Sequence, residues 1–99
     1  MIDWRVDLMR LSKKEVEIIR DTILSIFGEA TIYLFGSRVD ETKRGGDIDL
    51  FVISDNATFS NKIKALSKLK MLLHKPVDIV LHRDFNRDIE KEALKGIKL

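Results

Sequence analysis

The chain contains no cysteine, which excludes a disulfide scaffold and any thiolate-ligated metal centre and accords with a reducing compartment. It also lacks any apolar run approaching the roughly 20 residues that a membrane-spanning helix needs. Asp3 and Asp7 stand where a secretory leader would have a basic start and an apolar block, so the expected location is the cytoplasm. Neither sign of charge dominates: 18 Lys and Arg against 16 Asp and Glu leave a net charge of +2. So small an excess does not mark direct nucleic-acid binding, and the basic residues, spread among acids, read as solvated helix faces. Pro76 is the one proline, and there is no linker, repeat or low-complexity tract. A chain of 99 residues buries about 60–65% of its unfolded surface, which predicts one domain over 1–99 with one core.

What is present reads as short elements joined by short turns. Ser12-Lys13-Lys14-Glu15 has the form of a capping box. Val16, Ile19, Ile23, Ile26 and Phe27 follow at helical spacing, and Gly28 suits a left-handed helix end, predicting a helix over about 13–27. Thr31-Ile32-Tyr33-Leu34-Phe35 is β-branched and aromatic and stops at Gly36-Ser37, predicting a strand. Polar residues 38–44 and Gly45-Gly46 form a loop before a second strand over 47–53. That link is too short for a helical crossover, so the two strands are antiparallel neighbours. The run Phe59, Ile63, Leu66, Leu69, Leu73 keeps helical period to about residue 74, and Pro76 cannot continue it. Val77-Asp78-Ile79-Val80-Leu81 predicts a third strand, 86–95 a third helix with Gly96 as its cap, and 97–99 a short final strand. The order αββαβα describes an α/β (equally, α+β) fold with helices packed on a mixed sheet.

Three aspartates occupy costly positions. Asp47 and Asp49 are two apart on a strand and share a face. Asp78 lies in a run that otherwise reads as buried sheet, where an ion must be paired, neutralised or metal-bound because desolvation costs several kcal/mol. If the third strand pairs beside the second, the three carboxylates converge. Oxygen-only ligands suit a hard cation, with Mg²⁺ the default, and two ions about 3.5–4 Å apart would activate an attacking oxygen and stabilise a leaving group. Gly36 permits close backbone approach to a ligand, and the Ser37 hydroxyl with neighbouring N–H groups can hold phosphate oxygens. Arg38 and Arg44 are candidates to neutralise phosphates. The plain alternatives stay open: Asp47 and Asp49 as turn and solvent-facing residues, Asp78 paired with Lys75 or Arg83, the arginines as solvated loop residues. His74 and His82 are isolated and read as helix-end and strand-end surface residues, and Trp4 as an anchor for the N-terminal segment.

Leu34-Phe35-Gly36-Ser37-Arg38 followed by Gly45-Gly46-Asp47-Ile48-Asp49-Leu50 resembles the signature of the DNA polymerase β-like nucleotidyltransferase superfamily: Gly-Ser, a loop, Asp-x-Asp on the next strand, and a third carboxylate on a later strand. The small size resembles the minimal nucleotidyltransferase branch, often paired with a HEPN-domain protein as toxin and antitoxin. Residues 38–46 between Ser37 and Asp47 are one fewer than the branch's commonest spacing, which changes the turn and bears on Arg38 and Arg44. The resemblance implies a polymerase-β-like palm. It also implies an NTP donor (ATP), Mg²⁺ held by Asp47, Asp49 and Asp78, and β/γ phosphates held by Gly36 and Ser37. The implied acceptor is a tyrosine hydroxyl on a HEPN-type toxin. Larger relatives grip the acceptor with a helical domain; here a partner chain, a second copy in a homo-oligomer, or a small surface of the chain itself is expected to do so.

Other classes fit less well. In a haloacid-dehalogenase-type phosphatase the Asp-x-Asp follows its apolar strand, whereas Leu50-Phe51-Val52-Ile53 comes after the aspartates here. Glycosyltransferases need a larger nucleotide-sugar domain. A non-catalytic antitoxin that occludes its partner is the main rival, and a nucleic-acid-binding regulator has only the slight basic excess behind it.

Overall fold

A computed structural model describes residues 11–36 and 48–99. Helix α1, Lys13–Phe27, starts at the capping box: the Glu15 amide donates to Ser12 Oγ (3.1 Å) and the Ser12 amide to Glu15 Oε1 (3.0 Å), satisfying donors that a helix start leaves orphaned. Ile19, Ile23 and Phe27 are buried as the spacing requires. The helix ends at Gly28, whose φ of 77° is positive but whose ψ of −138° is mirror-extended backbone rather than the expected left-handed helical cap.

Strand β1, Thr31–Phe35, pairs antiparallel with β2, Ile48–Ile53. Helix α2, Phe59–Leu73, then crosses to β3, Val77–Leu81, which pairs parallel with β2, the arrangement that requires a crossover element. Helix α3, Asp88–Ala93, leads to β4, Ile97–Lys98, antiparallel to β1. The sheet order is β3-β2-β1-β4, so the fold is a mixed α/β sheet with packed helices. Alternation along each strand divides the sheet faces. Ile32, Leu34, Leu50, Val52 and Ile79 face α1 and α2, meeting Ile23, Phe27, Ala65 and Leu69 in the main core. Phe35 and Phe51 face the other way, with Ala93 of α3 over them. Among the described residues, no helix is long and apolar enough to cross a membrane.

Three expectations are corrected. Phe59 and Ile63, placed on the buried stripe of α2 by their spacing, are 72% and 44% exposed, and Ala65, Leu69 and Leu73 form the buried stripe instead. The first turn of α2 borders the open cleft along β3, where Phe59 is part of the lining. The third helix is shorter than 86–95 because Asp84 Oδ1 accepts the amides of Asn86 (2.8 Å) and Arg87 (3.3 Å), holding that segment as a turn. Gly96 acts by close approach rather than as a left-handed cap, since a Cβ there would overlap the Leu34 carbonyl.

Candidate active site at the Asp49–Asp78 strand ends

The β2–β3 register sets Asp49 directly beside Asp78. Both lie on the face away from α1 and α2, where, among the described residues, short α3 packs on the sheet. On the other side of β2, Asp49 stands opposite Phe35, the residue before Gly36. Gly36 has φ of 78°, and a Cβ built there would overlap Asp49 Oδ2. Its missing side chain therefore leaves the space that the carboxylate occupies.

Asp78 departs from expectation. It is exposed, flanked by buried Val77 and Ile79, because among the described residues β3 is an edge strand and Asp78 lies on the sheet face opposite α1 and α2. An exposed carboxylate at this position demands neither a metal nor a counter-ion. Neither expected alternative partner holds it: Lys75 Nζ pairs with Glu15 Oε2 at 2.6 Å, and among the described residues no cation is ion-paired to Asp78. Its Oδ1 instead accepts the Ile79 amide at 2.9 Å.

Ser37, Arg38, Arg44 and Asp47 lie outside the described residues, as does Trp4. Among the described residues no group of three acidic, His or Cys side chains forms a metal cluster; two members of the expected carboxylate set, Asp49 and Asp78, are present and adjacent. Two carboxylates in register on adjacent strands, with a glycine leaving room for one of them, are oxygen donors of the kind that suits a hard divalent cation.

A polar centre that the sequence reading missed lies farther along β3. Glu90 is fully buried. It accepts from Arg87 Nε (2.7 Å), His82 Nδ1 (2.7 Å) and the amides of Arg83 (3.2 Å), Asp84 (3.4 Å) and Phe85 (3.2 Å). Burial pushes its pKa up, but the Arg87, His82 and backbone hydrogen bonds outweigh it and hold the carboxyl down at about 2. His82, expected at the surface, is half-buried and stacks on Phe85 at 3.8 Å between ring centroids. Four residues of strand, about 13 Å, separate His82 from Asp78, so this centre fastens the β3–α3 turn rather than serving the carboxylate pair. The Arg87-x-x-Glu90 spacing was its only local signal.

A cleft of about 380 Å³ runs along β3, lined by Asp78, Phe59, Lys62, Arg83, Arg87 and Ile89. A second, of about 460 Å³, lies by Ile53, Ser54 and Phe85, at the end of β2 remote from Asp49.

Comparison with curated proteins returned no match. The profile of the family described as Polymerase beta, Nucleotidyltransferase matches residues 19–99, a span that begins inside α1, includes β1 to β4 and carries both Asp49 and Asp78. The chain belongs to the polymerase beta nucleotidyltransferase family.

Proposed function

We propose that the chain transfers AMP from ATP to a hydroxyl of a partner protein, a tyrosine of a HEPN-type toxin, and acts as that toxin's antitoxin. The observation that carries this reading is the register that sets Asp49 beside Asp78, with Gly36 making room for the Asp49 carboxylate. Asp47, Asp49 and Asp78 would hold two Mg²⁺ ions, which when bound neutralise charge on the attacking oxygen and on the pyrophosphate. Gly36 and Ser37 hold the β and γ phosphates, with Arg38 and Arg44 as further phosphate contacts. The acceptor oxygen forms a bond to the α-phosphorus, and the bond from that phosphorus to the bridging oxygen breaks. Pyrophosphate departs, and the acceptor proton passes to Asp78, whose exposure lets it return the proton to solvent.

One observation favours the rival reading, a non-catalytic occluder. An exposed Asp78 carries little desolvation cost, so a scaffold could retain it without a metal. Incubation with the product of the neighbouring gene, ATP and Mg²⁺, followed by intact-mass measurement, separates the two. The expected result is one or more AMP additions to the neighbour, absent with Asp47→Asn/Asp49→Asn although that variant still binds it. An unchanged mass, with the double variant neutralising the neighbour as well as wild type does, establishes occlusion instead.

A further inference from the structure

The end of β1 is flanked on both sides, because the sheet order β3-β2-β1-β4 places β1 between β2 and β4. Towards β2, Gly36 meets the Asp49 carboxylate. Towards β4 lies the turn that leads out of α3. Strand β4 runs antiparallel to β1, with Ile97 opposite Leu34 and Lys98 opposite Tyr33, so the residues before Ile97 run past Phe35 in the direction of Gly36. Their approach is close: a Cβ at Gly96 would overlap the Leu34 carbonyl and crowd Phe35 Cβ. Lys95 is two residues before Ile97, and Gly36 is two residues beyond its partner Leu34, which brings Lys95 level with Gly36 along the strand. The turn is held there by Lys95 N–H donating to Glu92 C=O (3.2 Å) and Gly96 N–H to Ala93 C=O (3.0 Å).

Lys95 Nζ stands 3.6 Å from Glu92 Oε2, and the two side chains are 75% and 69% exposed. An exposed pair at that separation holds little, so the ammonium on its flexible stem is free to exchange that carboxylate for a phosphate. The neighbouring lysines are placed differently. Lys98 is opposite Tyr33, three residues back along β1 from Gly36, and Lys91 lies a full helical turn before Lys95. The end of β1 thus has oxygen donors for a hard cation on one side, a glycine in the middle and an ammonium on the other side. That order matches an elongated polyanion that carries its metal near one end and free negative charge at the other.

We propose that Lys95 binds the outermost phosphate of a nucleoside triphosphate laid across Gly36, and that it makes the chain prefer a triphosphate to a diphosphate. This rests on the reading that a nucleotide binds at the Asp49–Asp78 end of the sheet, but binding is measurable without transfer. The probes are the α,β-methylene analogues of ATP and ADP, which cannot break at the α–β linkage, titrated calorimetrically with Mg²⁺. Wild type is expected to bind the triphosphate roughly tenfold more tightly than the diphosphate. Lys95→Ala is expected to lose that preference by weakening triphosphate binding alone, and Lys95→Arg to keep it. Glu92→Gln, which removes the competing carboxylate, should bind the triphosphate at least as tightly as wild type. An unchanged preference in Lys95→Ala, a loss that Lys95→Arg does not restore, or an equal loss in Glu92→Gln overturns the proposal. Wild type that binds neither analogue defeats this inference and the transferase reading together, whereas triphosphate binding that does not depend on Lys95 defeats this inference alone. Lys95-dependent binding with no mass added to the partner leaves it standing and defeats the transferase reading.

Discussion

At residue scale the site depends on one missing side chain and one exposed carboxylate. Gly36→Ala meets two obstacles, a positive φ and overlap with Asp49 Oδ2, and is expected to cost about 1–3 kcal/mol in urea unfolding. In an Asp49→Ala background the overlap disappears, so the same change should cost less; equal costs in a double-mutant cycle would show that the two residues do not couple. Asp78→Asn, at an exposed position, should leave stability within about 0.5 kcal/mol of wild type while abolishing transfer. A strongly destabilised variant would instead assign Asp78 a structural role. Glu90 is the opposite case, buried and charged. Its pKa falls from 4.5 unfolded to about 2 folded, so its stabilisation is fully present above about pH 4.5 and is lost as pH falls towards 2. Acid unfolding of wild type should show this decline, and Glu90→Gln should lower stability near neutrality by about 2–3 kcal/mol while flattening that part of the profile.

At the scale of elements, α2 shows periodicity and burial parting company. Phe59 begins the helix with the right spacing but is 72% exposed, while Leu69 sits in the core. Phe59→Ser is therefore expected to change unfolding free energy by less than about 0.5 kcal/mol, and Leu69→Ala to lower it by about 2–5 kcal/mol. Comparable losses would mean that the first turn of α2 is covered. The pair Lys75–Glu15 joins the approach to β3 to the start of α1. Burial there raises the Glu15 pKa, yet the Lys75 and Ser12 contacts outweigh it and hold it below its usual value. That contribution is present above the ordinary Glu range and fades as pH drops beneath it, so it adds to the acid loss from Glu90.

For the molecule as a whole, ligand linkage tests whether the carboxylates act as a unit. A ligand bound only by the folded state stabilises it by about 2.7 kcal/mol at 100 times its Kd. ATP with Mg²⁺ is expected to raise the melting temperature of wild type and to leave Asp47→Asn/Asp49→Asn unmoved. An equal rise in both proteins removes Asp47 and Asp49 from the site.

The sequence by itself determined the elements and most of their faces, because helical and strand periods are local and the core reads them directly. The capping box at Ser12, the stripe Ile19–Ile23–Phe27 and the antiparallel β1–β2 pair were all legible in this way. So was the family, through Gly36-Ser37 followed by Asp47-x-Asp49, since both parts of that motif are contiguous in the sequence. Only the tertiary structure decided which neighbours each residue meets. Asp78 looked buried because its flanking residues are, but its exposure follows from β3 being an edge strand among the described residues, which is a property of sheet order. Gly36 read as room for a ligand and proves also to be room for Asp49, a residue 13 positions away. Glu90 carried almost no local signal, because its stability as a buried ion comes from amides and side chains that converge only when the β3–α3 turn closes around it. A period along the chain reports which face a side chain takes, whereas its exposure and partners depend on contacts between segments that the chain brings together only by folding.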